Sequence, residues 1–124
     1  NSLTIICYGL AVHWAIEAVE SLKEFENEIE IIDLRTLIPW DKELISTSVK
    51  KTGRVLVIHE DHITGGFGAE IAAWISENCF EFLDAPVTRL GSLDMPIPAN
   101  EKIEKEVFWP KNKIQSTLTN CLNY

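Results

Sequence analysis

The sequence predicts an α/β fold, a mostly parallel sheet with helices on both faces, and three observations carry that expectation. Short apolar, β-branched runs alternate with longer stretches of helical periodicity. The runs are apolar almost throughout, as strands buried on both faces are. Between one of them and the next helix lies the segment His59–Ile71, H-E-D-H-I-T-G-G-F-G-A-E-I, whose glycines let the chain turn sharply.

Leu3–Tyr8 (L-T-I-I-C-Y) reads as the first strand, and Gly9 ends it. From Ala11 to Phe25, Val12, Ile16, Val19 and Leu22 fall at helical spacing, with Glu17, Glu20, Lys23 and Glu24 on other faces. Glu30–Leu34 is the second strand, followed by a loop through Pro39 and Trp40. Asp41 is placed to cap a helix over Lys42–Lys51, and Gly53 to stop it. Arg54–Ile58 is the third strand and Phe67–Glu77 the next helix. Asn78–Leu83 has no clear period, Asp84-Ala85-Pro86 is a turn, and Val87–Leu90 is a fourth strand. The prolines of Asp94–Ala99 keep that stretch irregular. The chain from there to Trp109 is given no element. Pro110 is expected at the first position of a last helix, with Ile114, Leu118, Cys121 and Leu122 on one face.

With strand order 2-1-3-4, the chain changes direction between the first and third strands. Loops after those two strands then share a crevice at the carboxyl edge of the sheet. Tyr8, Gly9 and His13 would face His59–Gly68 there.

The 124 residues are enough for one domain with a core, 1–124, and the abrupt start on an apolar strand reads as a fragment of a longer chain. Hydrophobic residues at 46% and charged ones at 24% are ordinary for a globular protein. No run approaches the length that spans a bilayer, and no basic leader precedes Leu3, so a cytoplasmic location is expected. The net charge of −8 disfavours nucleic acid and anionic membranes as partners and suits a basic protein. Cys7, Cys79 and Cys121 form no CxxC pair, which argues for small buried thiols in a reducing compartment.

The glycine segment invites a phosphate on the following helix, but T-G-G-F-G-A is neither GxGxxG nor a GK[ST] loop. His59 and His62, with Glu60 and Asp61, have weak metal spacing without ligands from further away. No serine–histidine or cysteine–histidine arrangement is visible. Packing of these groups at an interface is the reading favoured over a base or a metal. Arg89 could bind an anion, but a structural pair with Asp84 or Asp94 is the expectation favoured.

Five motifs occur in order: Y-G-L-A-V-H (Tyr8–His13), I-D-L-R-T-L-I-P-W-D (Ile32–Asp41), H-E-x3-T-G-G-F-G-A-E-I (His59–Ile71), F-L-D-A-P-V-T-R-L (Phe82–Leu90) and D-M-P-I-P (Asp94–Pro98). Together they resemble the C-terminal domain of the β chain of thiamine-diphosphate-dependent 2-oxo acid dehydrogenases. The glycine loop is nearer the branched-chain (2-oxoisovalerate) type than the pyruvate type. The resemblance implies a three-layer α/β/α sandwich, transketolase C-terminal domain-like, with strand order 2-1-3-4. It also implies an antiparallel edge strand that this chain lacks.

For the parent enzyme the resemblance implies oxidative decarboxylation of a 2-oxo acid with acyl transfer to a lipoyl arm. Thiamine diphosphate and Mg²⁺ would be bound by other domains, so no cofactor, metal or catalytic residue is assigned to this chain. What it assigns is assembly. Tyr8, Gly9, His13, His59, Glu60, His62, Gly65, Gly66, Phe67 and Gly68 would lie between subunits, against the α part and a second β chain. Asp84 and Tyr124 would dock the basic subunit-binding domain of a lipoyl acyltransferase core. A flavodoxin-like nucleotide or flavin binder is the alternative from another class. A deoxyxylulose-phosphate synthase domain is a third reading, opposed by L-D-A-P-V-T-R.

Overall fold

A computed structural model describes residues 2–124. Its sheet has four parallel strands in the order β2-β1-β3-β4, with β1 over Leu3–Cys7, β2 over Ile29–Asp33, β3 over Val55–His62 and β4 over Thr88–Ser92. Helices α1 (Ala11–Ser21), α2 (Lys42–Thr52), α3 (Phe67–Asn78), α4 (Glu101–Ile103) and α5 (Ile114–Leu122) complete the domain.

The side-chain period of two along β1 divides the core. Leu3, Ile5 and Cys7 pack with α1 and α5, through Trp14, Val19, Ile114 and Leu118. Ile6 faces the other way, onto Ile45 and Val49 of α2 and Ile71 and Ile75 of α3. This is the expected three-layer sandwich. Every residue of β1 is buried, and each fully buried Leu or Ile contributes about 1.5–3 kcal/mol.

Thr4, on the α2 side, is buried but satisfied. Its hydroxyl lies 2.7 Å from both Ser48 Oγ and Thr52 Oγ1, and Ser48 Oγ donates to Glu30 Oε2 at 2.6 Å. A single direction of donation, Thr52 to Thr4 to Ser48 to Glu30, gives each hydroxyl a partner. The chain of bonds fastens α2 to β1 and β2.

Four departures from expectation go beyond two residues. α1 stops at Ser21, not Phe25, where Leu22 leaves helical geometry; no basic residue lies in the last turn to offset the negative helix end. β3 runs on to His62 past an irregularity between Ile58 and His62, so the polar H-E-D-H is strand, not loop. Asn100, whose side chain accepts from Lys102 N and Ile103 N, caps α4, which widens into a π-helical turn over Glu104–Phe108. Pro110 precedes a 3-10 turn, Lys111–Lys113, and α5 begins only at Ile114. Asp41 caps α2 through Leu44 N at 2.9 Å, and Gly53 closes it with φ 69°, both as the sequence indicates.

Candidate functional site

The parallel order brings the end of β1 beside the extended end of β3, and there the crevice forms. Tyr8, the first residue after β1, lays its ring on His59 with centroids 5.8 Å apart and planes 27° off parallel. Its hydroxyl donates to Asp61 Oδ2 at 3.2 Å. Burial, then the charge of Asp61, raises the Tyr8 pKa, so the phenol stays protonated.

His59 is fully buried. Strand alternation puts it on the same face as Val57, under α3. Its Nδ1 lies 3.1 Å from the Asp61 carbonyl, which can only accept, so Nδ1 carries the proton. Nε2 is left as a buried lone pair with no partner among the described residues. Burial lowers the His59 pKa, against the opposing pull of Asp61, and the imidazole is held neutral.

The glycines explain how a ring fits there. A Cβ at Gly68 would lie 2.5 Å from His59 Nε2, one at Gly66 would lie 2.6 Å from Cε1, and one at Gly91 would lie 2.8 Å from the same carbon. The room these residues provide is occupied by an imidazole of the same chain. They therefore do not form a cradle for a diphosphate, and the residues present do not fit thiamine diphosphate. Gly91 was missed in the sequence; its signal was a glycine inside a strand, which marks close approach. Gly65 has φ 76° and open space beyond it, and Gly9 has φ 60° with its missing Cβ 3.3 Å from Glu60 Oε1.

The following loops are pinned. His62 Nε2 donates to the Met95 carbonyl at 2.7 Å, and its ring meets Phe108 edge-on at 5.5 Å. Asp94 accepts from Thr64 N at 3.1 Å and Thr64 Oγ1 at 2.6 Å, bonds that hold its carboxyl below the usual range. Arg89 does not pair with Asp84 or Asp94: its Nη1 donates to the Ile63 carbonyl at 3.0 Å. Asp33 is engaged by Arg35 Nε at 2.5 Å. Of the predicted interface residues, Gly9, His13, Glu60 and Gly65 are exposed; Tyr8, His62, Gly66 and Phe67 are half-buried; His59 and Gly68 are buried. Among the described residues no group of three or more His, Cys, Asp or Glu is placed to hold a metal ion. All three cysteines are free and buried.

The second predicted surface lies at the opposite, amino edge. Asp84 N donates to the Gly53 carbonyl at 2.7 Å, and the exposed Asp84 carboxylate lies over Gly53, where any Cβ would collide with it. Beside it runs a groove of about 600 Å³ between α3 and the turn, lined by Ala73, Ser76, Phe80, Leu83, Asp84 and Pro86. Phe80 is 75% exposed. Tyr124 shares a neighbouring cavity with Ala85 and Pro86, so both predicted docking residues fall on one side of the domain.

Comparison with known proteins places this geometry. The chain is 53% identical over 125 residues to 2-oxoisovalerate dehydrogenase subunit beta 2, mitochondrial, of Arabidopsis thaliana, covering 100% of the chain and 34% of that protein. It is 40% identical over 119 residues to 2-oxoisovalerate dehydrogenase subunit beta of Bacillus subtilis (strain 168), covering 95% of the chain and 36% of that protein. The chain thus spans about a third of the length of these relatives. A solved structure described as a split gene transketolase, inactive beta4 tetramer, superposes with a TM-score of 0.77 at 25% identity, over 98% of this chain and 38% of that one. The family described as transketolase, C-terminal domain, matches residues 1–114, and the chain belongs to that family.

Proposed function

We propose that this is the assembly and partner-docking domain of a thiamine-diphosphate-dependent 2-oxo acid dehydrogenase of branched-chain type. The parent enzyme would decarboxylate a 2-oxo acid and pass the acyl group to a lipoyl arm. In this reading thiamine diphosphate and Mg²⁺ belong to other domains and supply the carbanion chemistry there. This domain contributes two surfaces. Gly9, His13, Glu60 and Gly65 present the exposed rim of the crevice to the α part and to a second β chain. Tyr8, His59, His62, Gly66, Phe67 and Gly68 shape that rim from beneath.

The observation that carries the docking half is the groove at Asp84. Its lining combines an exposed aromatic, Phe80, with the exposed acid Asp84, and the exposed Glu81 is the chain neighbour of Phe80. An apolar anchor inside a charged rim is the usual anatomy of a protein interface, and here the charge selects a basic partner. The basic subunit-binding domain of a lipoyl acyltransferase core is that partner in our reading. The free thiols favour a reducing compartment, cytoplasm or mitochondrial matrix.

Calorimetry tests the assignment of chemistry to other domains. Thiamine diphosphate titrated into this domain should give no saturable heat, whereas the assembled dehydrogenase should bind it. Micromolar binding by the domain alone would contradict the proposal. A flavin absorbance in the purified protein would favour the flavodoxin-like alternative instead.

A further inference from the structure

We propose that the groove between α3 and the loop leading from β2 into α2 docks an extended, proline-rich segment of a partner protein that carries basic side chains three residues apart. The groove holds about 620 Å³. Its floor is aromatic: Trp40 meets Phe67 and Trp74 edge-on, each with ring centroids 5.7 Å from its own. All three rings are half-buried and keep exposed surface. Ile38, in the same lining, is 88% exposed.

The charges of the groove set the sign of its occupant. Glu70 and Glu77 line it from α3, are exposed, and enter none of the ion pairs among the described residues. The cation in the lining, Lys42, is exposed and unpaired with any carboxylate as well. Its Nζ lies 5.7 Å from the Trp40 ring centroid and 5.8 Å from that of Trp74. The chain's own ammonium thus rests where the negative faces of two indoles attract a cation. A lysine on a flexible four-carbon stem can yield that place to a partner's cation. Arginine is the better occupant, since its planar guanidinium stacks on an indole and pairs bidentately with a carboxylate.

Spacing defines the backbone of that occupant. Glu70 and Glu77 stand two turns apart on one face of α3, about 10.5 Å along its axis. A polyproline II segment repeats its side-chain direction every three residues, about 9.3 Å. A β-strand repeats every two, about 6.7 Å, and misses the second acid. An α-helix of the same length fills about 800 Å³, more than the groove holds. Aromatic-lined grooves suit polyproline II because the segment is already ordered before it binds. The groove adjoins the Phe80 groove and shares Ala73 with it, but neither Phe80 nor Asp84 lines it. The two surfaces can therefore be removed separately.

The test uses the full-length chain and three labelled peptides, R-P-P-R-P-P, R-G-G-R-G-G and E-P-P-E-P-P, followed by fluorescence anisotropy. The first should bind saturably with a Kd on the order of 0.1 mM. The second, which keeps the charge without the ordered backbone, and the third, which reverses the charge, should each bind at least tenfold more weakly. Glu70→Gln combined with Glu77→Gln preserves helix propensity and should weaken the first peptide at least tenfold. Trp40→Leu, which changes no charge, should do the same, and the exposed glutamates carry the test if that variant fails to fold. Lys42→Met should tighten binding at least twofold by vacating the indoles. Asp84→Lys should alter it less than twofold, because the Phe80 groove is a separate surface. Absence of saturable binding, equal binding of R-G-G-R-G-G (attraction to net charge only), undiminished binding by the glutamate pair variant, no tightening by Lys42→Met, or loss of binding with Asp84→Lys would each overturn the proposal.

Discussion

A methyl group added at Gly68 would sit 2.5 Å from His59 Nε2 and 3.3 Å from Val57 Cγ1. Gly68→Ala is therefore expected to lower stability by about 2 kcal/mol, the scale of overpacking in a closed core. Removing the ring should restore the room, so His59→Ala and Gly68→Ala combined should cost clearly less than their sum in a denaturant double-mutant cycle. Gly65→Ala meets open space and is penalised only for its φ of 76°, about 1 kcal/mol. His59 also sets a pH dependence. Its folded pKa lies below the ordinary histidine value of about 6.5, because burial resists the charge. Below about pH 6.5 the unfolded chain takes up a proton that the folded one refuses, so stability rises with pH in that window. Urea midpoints should fall from pH 7.5 to 5.5, and His59→Gln should flatten that part of the profile. Cys7 is expected to resist alkylation in the native state at pH 8, since burial, aided by Asp33, pushes its thiol up to about 12. That Cys7 is core was legible from its place in an apolar run. The socket for His59 was not, because its members, Gly66, Gly68 and Gly91, come from a loop, a helix and a neighbouring strand that only the fold brings together.

At the scale of elements, the sequence was most informative where one signal sufficed. β1, the start of β3 and α3 are written in apolar runs and periodicity, and Asp41 and Gly53 mark α2 at both ends. It was least informative where tertiary pairing overrode local polarity. Glu60 and Asp61 look like loop residues, yet their backbone continues β3, and the Glu60 carbonyl accepts from Ser92 Oγ of β4 at 2.6 Å. The Asn100 cap was equally readable in principle, but two nearby prolines drew the whole stretch into one irregular segment. The hydroxyl ladder on Thr4 gives a prediction for α2. Thr4→Val keeps the shape of the side chain but removes the hydroxyl that links Ser48 and Thr52, leaving Ser48 on Glu30 Oε2 and Thr52 on the Ser48 and Arg54 carbonyls. It should cost about 1 kcal/mol by equilibrium unfolding, and hydrogen exchange should quicken in α2 before α3.

For the whole molecule, the proposed function gives the two edges of the sheet different tasks. The carboxyl edge, where ligands of α/β proteins usually bind, is filled between β1 and β3 by Tyr8, His59 and the glycines. The amino edge carries the exposed Phe80, the Asp84 turn, and the cavity near Tyr124. In the proposed docking, the net charge of −8 would extend the attraction for a basic partner beyond contact distance, where charge governs encounter rate and salt dependence more than final affinity. The docking account is tested most directly by titrating the basic subunit-binding domain of the acyltransferase against the full β chain, wild type and Asp84→Lys, with both folds checked by circular dichroism. The account predicts at least a tenfold rise in Kd for Asp84→Lys and a weaker salt dependence than wild type. Equal Kd values for the two proteins would contradict it.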